Sequence, residues 1–186
     1  MNDTVEGIVV PSAETARRET FLRLMAEYRR PIARLAAAYL HDAQDQEDLV
    51  QEIALALWQA VPRFRGDSSE RTWLYRIAHN TAITAAAKIR RRGKVETTPE
   101  EPPELPSAAE GHEENLIQAQ RREWLLEAIR QMPAMDRQIL TLHLEGLSHR
   151  EIQEITGLSE AAIATRLSRQ RDRLGAKHPE YEGNRT

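Results

Sequence analysis

Five carboxylates crowd the stretch HDAQDQEDLVQE: Asp42, Asp45, Glu47, Asp48 and Glu52. Hard cations such as Mg²⁺ and Ca²⁺ take oxygen ligands, so this density raises the question of a metal site. No calcium-loop glycine pattern accompanies it. The chain also lacks a phosphate-cradling glycine loop and a nucleophile elbow. His79, His143 and His149 have no partner set at ligand spacing. Cysteine is absent, which removes disulfides, thiolate metal sites and thiol nucleophiles. These residues predict no catalysis by the chain alone, no metal and no cofactor.

The basic residues suggest a different chemistry. The formal charge is -3, which by itself argues against a phosphate-bearing partner. Its distribution argues the other way. Lys88, Arg90, Arg91, Arg92 and Lys94 form one basic cluster, and Arg166, Arg169, Arg171 and Arg173 another. Acids gather around Asp45 and again at Glu96, Glu100, Glu101, Glu104, Glu110, Glu113 and Glu114. A chain sorted in this way offers separate faces to separate partners.

The elements that must position these groups are helical. Apolar residues recur at helical spacing, aromatics are few and the fold class expected is all-α. A first stretch, about Ala13 to Leu40, carries Phe21, Leu22, Met25, Ile32 and Leu35, with Pro31 expected to kink or divide it. A second helix lines Leu49, Val50, Ile53, Leu57 and Val61 on one stripe and ends at Pro62. Asp67 or Ser68 is expected to cap a third, about Ser69 to Arg91, that buries Trp73, Leu74, Ile77 and Thr81. The segment from Gly93 to Asn115 holds four prolines and many acids, so it reads as a disordered or extended linker. Its roughly 23 residues reach at most about 75 Å when taut, and about 25 to 30 Å as a flexible coil.

The organisation predicted is therefore a flexible N-terminus (1–13), a three- or four-helix domain (14–92), the linker (93–115), a second helical domain (116–175) and a tail (176–186). In that second domain, helices are expected at about Leu116 to Gln131 and Asp136 to Glu145. Ser148 to Glu151 forms a capping box, Gly157 makes a turn, and Ser159 caps a helix from Glu160 to about Leu174. A short helix, a glycine turn and a longer basic helix describe a helix-turn-helix, whose second helix enters the major groove. Ala161, Ala162, Ile163 and Leu167 are read as inward. Thr165, Arg166, Ser168 and Arg169 are left to meet bases and phosphates. No run approaches the roughly 18 apolar residues of a membrane span, and the N-terminus lacks a signal-peptide pattern, so no membrane insertion and a cytoplasmic location are expected.

DQEDLVQEIALALWQ followed by FRGDSSERTWLYRIAHNTAI resembles region two of bacterial sigma factors. MPAMDRQILTLHLEGLSHREIQEITGLSEAAIATRLSRQRDRL resembles their region four. Size and the lack of a third domain between the blocks point to the extracytoplasmic function (ECF) group of the sigma-seventy family. The resemblance implies two helical domains and a non-catalytic subunit that directs promoter-specific initiation. It implies that Asp45, Glu47, Asp48, Leu49 and Gln51 dock on core RNA polymerase. The minus-ten element of promoter DNA would be recognised and melted by Phe64, Arg65, Tyr75, Arg76, Asn80 and Lys88, with Gly66, Asp67, Ser68 and Trp73 in the same matching stretch. An unstacked base costs a few kcal/mol, which stacking and hydrogen bonds must offset. Thr165, Arg166, Ser168 and Arg169 would read the minus-thirty-five element. The linker would thread the polymerase, and an anti-sigma factor would restrain the protein.

Two positions depart from the family's pattern, Thr84 and Ala164, and bear on promoter preference. Plainer readings stand beside these roles. Trp58 and Trp73 suit ordinary core positions, Asn80 can bond within its own helix, and Arg90 to Arg92 suit a solvated helix end. The alternative function is a conventional helix-turn-helix regulator that binds duplex DNA without polymerase.

Overall fold

The computed structural model describes residues 12–93 and 113–177. Among them are seven α-helices and a 3-10 turn: α1 (Ala13–Tyr39), α2 (Ala43–Ala60), the turn Val61–Arg63, α3 (Glu70–Gly93), α4 (Glu113–Arg130), α5 (Ala134–Leu144), α6 (His149–Thr156) and α7 (Glu160–Lys177). The described residues include no strand, as the sequence predicts. Most of the predicted linker lies outside the described residues, although its last three residues, 113–115, already belong to α4.

Ser12 caps α1 by accepting the Thr15 N–H at 3.1 Å. The helix then runs through Pro31 undivided. An interior proline costs about 3 kcal/mol. Burial of Leu24, Ile32 and Leu35 on either side of it, at about 1.5 to 3 kcal/mol each, outweighs that cost. Leu22, expected inside, is 54% exposed, and Leu24 takes the core position. Asp42 caps α2 through the Asp45 N–H at 3.0 Å, and Leu49, Ile53 and Leu57 are buried along its predicted stripe.

The cap of α3 is Ser69, one residue beyond the expected pair, and its Oγ accepts the Thr72 N–H at 3.0 Å. The buried face of α3 is also rotated from the expected one. Leu74, Tyr75, Ala78, His79, Ala82 and Ala85 are buried, whereas Trp73 and Ile77 pack only partly against the core, and Thr81 is half-buried. Three alanines share this face with the larger Leu74 and Tyr75, and Trp73 and Ile77 lie at its margin. Helices α1, α2 and α3 pack on one another, α5, α6 and α7 form a second group, and α4 packs on α1 and α5. One hydrophobic cluster includes buried residues from both groups.

In the second group Ser148 and Glu151 form the predicted capping box. Gly157 closes α6 at φ +75°, a conformation that disfavours any residue with a Cβ. Ser159 begins α7, its Oγ accepting the Ala162 N–H at 3.3 Å. Ile163 is buried as expected, but Ala161 is exposed. Gln170 is buried on the same inner side, which an apolar pattern alone does not find.

One buried polar contact has a thermodynamic consequence. Tyr39 Oη lies 3.1 Å from His79 Nδ1, while His79 Nε2 is buried with no hydrogen-bond partner among the described residues. Burial pulls the imidazole from its usual 6.5 down to about 3, so the folded protein holds His79 neutral while the unfolded chain protonates it near pH 6.5. The associated stability is fully present above pH 6.5 and is lost as pH falls toward 3. Between pH 7 and pH 5 the loss is about 2 kcal/mol. Urea unfolding should show the midpoint falling across this interval in the wild type and falling less in His79→Gln. Equal slopes would remove His79 as the cause.

Candidate polymerase and nucleic-acid interfaces

The acidic cluster lies on the outer side of α2. Glu47, Asp48, Gln51 and Glu52 are exposed and Asp45 is half-exposed. Asp48 accepts from Gln44 at 3.2 Å within the helix. Among the described residues no group of three or more His, Cys, Asp or Glu side chains is placed to hold a metal ion. Leu49 does not share this surface. It is 1% exposed and supports the helix from within, because its position in the core stripe turns it away from the carboxylates. Leu55, at 57% exposure, lies with Asp48, Gln51 and Glu52 at spacings of three, four and seven, so an apolar residue joins the acidic face. That spacing was readable from the sequence.

The loop before α3 and the outer side of α3 form a second surface. Phe64 is half-buried, and its ring lies 4.8 Å from that of Trp73 at 40°. Arg65 and Asp67 are exposed, and Gly66 turns the loop at φ +78°. Along α3, Arg76, Asn80, Thr84 and Lys88 recur every four residues and point away from the buried seam; the last three are exposed. Tyr75 departs from the expected arrangement. It is 2% exposed, its ring meets Tyr28 edge-on at 6.1 Å, and its hydroxyl donates to Glu145 Oε2 at 3.1 Å. Burial, with the Glu145 carboxylate adding to it, raises the phenol above its usual range. Tyr75 is therefore a packing residue here, since it sits one position from the outer stripe on the core side.

On α7, Thr165, Ser168 and Arg169 are exposed, as are Arg171 and Arg173. Arg166 is held inward, its Nη1 donating to Asp136 Oδ1 of α5 at 2.6 Å. With Asp136 9% exposed, this pair fastens α7 to α5 beneath it. The sequence offered no signal linking these residues, which lie 30 apart.

The residues of these two helical groups match two known sequence patterns, one after the other along the chain. Sigma-70 region 2 matches residues 24–92 and sigma-70 region 4 matches residues 122–174. The RNA polymerase sigma-H factor of Pseudomonas aeruginosa is 30% identical over 173 residues, spanning 89% of this chain and 90% of that protein. The chain belongs to the sigma-70 family. Within it, the ECF RNA polymerase sigma-E factor of Escherichia coli K12 is 30% identical over 179 residues, spanning 92% and 93%. This supports the ECF group that the sequence resembles. Two solved structures share the fold, each with a TM-score of 0.61: CnrH in complex with the cytosolic domain of CnrY, at 22% identity over 86% of this chain and 87% of the other, and the sigma factor RpoE in complex with the anti-sigma factor NepR from Bartonella quintana, at 20% over 90% and 99%. The sigma factor reading thus prevails over a polymerase-independent regulator. No described helix is long and apolar enough to cross a membrane.

The two α7 arginines should separate in their effects. Arg166→Ala leaves Asp136 without its partner and should destabilise the fold by about 1 to 3 kcal/mol. Arg169→Ala should change stability by less than about 0.5 kcal/mol. Thermal unfolding of both variants measures the difference, and equal melting temperatures would contradict the clamp assigned to Arg166.

Proposed function

We propose that this sigma factor binds core RNA polymerase through the outer face of α2 and brings it to promoters, where the loop 64–69 and α3 act on the minus-ten element and α7 reads the minus-thirty-five element. The observation that carries the docking assignment is the α2 surface: Asp45, Glu47, Asp48, Gln51 and Glu52 gathered on one side, with Leu55 exposed among them. Exposed carboxylates suit a basic partner surface, and an apolar residue among them supplies the contact area that charge alone does not. Leu49 acts indirectly in this reading, by fixing the rotation of α2.

On the DNA side, Arg65, Arg76, Asn80 and Lys88 supply groups for phosphates and base edges. The Phe64–Trp73 pair supplies an aromatic surface beside them. Tyr75 positions α3 from inside. On α7, Thr165, Ser168 and Arg169 present the reading face, and Arg166 sets its angle. The chain performs no catalysis alone, works in the cytoplasm, and is divided functionally into 14–92 and 116–175 by the segment between them. An anti-sigma factor restrains it, a reading supported by the RpoE neighbour solved with the anti-sigma factor NepR.

The test is the double reversal Glu47→Lys with Asp48→Lys. Exposed charges contribute little to stability, so circular dichroism and melting temperature should stay unchanged. Affinity for core polymerase should fall tenfold or more, taken as roughly 1.4 kcal/mol across the interface. Unchanged core affinity would place docking on another surface. Arg169→Ala should lower promoter affinity and reduce the salt slope by about 1.

A further inference from the structure

A helix lying in the major groove brings its first half to the base edges. In α7 the exposed residues of that half are Glu160, Ala161, Ala164, Thr165 and Ser168, and none of them is a cation. Arg166, the one arginine of residues 160–168, donates to Asp136 and is held toward α5. The bidentate arginine contact that commonly selects guanine is therefore absent from this half of the helix. Arg169, Arg171 and Arg173 all follow it.

Their arrangement around the helix sorts these groups further. At about 100° per residue, Ala161, Thr165, Ser168 and Asp172 form the line opposite the buried Ile163 and Gln170. On the same count Arg169 and Arg173 lie on one flank of that line and Arg171 on the other. In a groove the outermost line faces the bases and the flanks face the two phosphate backbones. Asp172 stands at the far end of the line, 3.8 Å from Arg171 Nε. The residues left over the bases thus begin with two methyl-bearing side chains, Ala161 and Thr165, followed by the hydroxyl of Ser168.

Thr165 has two branches, and the structure commits one of them. Its Oγ1 donates to the Ala161 carbonyl at 2.8 Å, which uses its only proton and holds the oxygen against the helix backbone. A β-branched side chain has few rotamers, so fixing the hydroxyl also fixes the Cγ2 methyl. One turn earlier on the same line is the Ala161 methyl, exposed like Thr165. Recognition through these two groups works by apolar contact, and the apolar group that a base pair shows in the major groove is the C5 methyl of thymine.

We propose that the first half of α7 selects thymine methyl groups in the minus-thirty-five element through the methyls of Ala161 and Thr165, while Arg169, Arg171 and Arg173 on its flanks hold the phosphates. This rests on the assignment of α7 to that element. The division follows from reach and charge. Short side chains over the bases carry sequence information only at close contact, and arginines beside them supply attraction that does not depend on sequence. Arg166 serves the reading indirectly: its bond to Asp136 fixes the rotation of α7 that keeps Ala161 and Thr165 outermost.

The test uses holoenzyme reconstituted from core RNA polymerase and the full chain, which first selects a minus-thirty-five motif from duplexes randomised over that region. Synthetic duplexes of the selected motif then carry deoxyuridine in place of thymidine, one position at a time, which removes the methyl and keeps the base pair. At one or two positions the wild type should bind the thymine duplex roughly fourfold more tightly than the uracil one, the worth of about one buried methyl group. At the position that Thr165 reads, Thr165→Val keeps the methyl without the hydroxyl and should keep this ratio. Thr165→Ser keeps the hydroxyl without the methyl and should bring the ratio to about one. The ratio compares two duplexes on the same protein, so loss of folded protein does not imitate the result. A selected motif that tolerates uracil at every position, or a Thr165→Val variant that loses the discrimination, overturns the methyl reading and leaves α7 as the reader. If no upstream motif is selected, the assignment of α7 fails and this inference fails with it.

Discussion

The seam that α3 makes with its neighbours governs the rest of the molecule. Leu74, Tyr75, Ala78, His79, Ala82 and Ala85 are buried on one side of it, and three of the six are alanines. A helix has one rotation about its own axis, so burying this side fixes what the other side presents. Arg76, Asn80, Thr84 and Lys88 consequently form a single outward line, and the loop that enters the helix at Ser69 brings Phe64 and Arg65 to its start. A rotation of about 100° corresponds to one residue, so a one-residue slip of the buried face would turn this line toward the core.

Arginines acting at helix ends recur through the structure. Arg17 donates to the Trp58 carbonyl at 2.8 Å near the end of α2, Arg130 to Ala37 in α1, Arg71 to Glu145 after α5, and Arg76 to Glu154 in α6. Neither α1, α2 nor α6 has a basic residue in its own last turn. A cation from another element satisfies carbonyls that the helix leaves open and complements the negative end of its dipole. Each contact is worth only about 0.3 to 1 kcal/mol, so these interactions orient elements that apolar burial holds together.

The helices and the two functional blocks were legible in the sequence because each depends on local patterns: apolar spacing, the Ser148 and Glu151 capping box, and the glycine at 157. Placement within a helix was less legible. The α3 pattern favours Trp73 and Ile77 as the inner face because size dominates an apolar count, whereas the buried face includes Ala78, Ala82 and Ala85, which such a count weighs lightly. The matching stretches place Leu49 and Tyr75 among interface residues only by association, and the structure turns both inward. Arg166 met Asp136, and Glu145 met Arg34, across separations of 30 and 111 residues. No short-range pattern encodes such pairs, so the clamp on α7 and the contact between the helical groups could only come from the folded chain.

The most direct measurement is run-off transcription from a genomic promoter library with purified core RNA polymerase, in the presence and absence of this protein. The expected result is a set of transcripts that require both components and whose start sites share two upstream motifs at fixed spacing. Tight binding of the isolated protein to duplex sites, with no core-dependent transcripts, would contradict the role of polymerase specificity subunit.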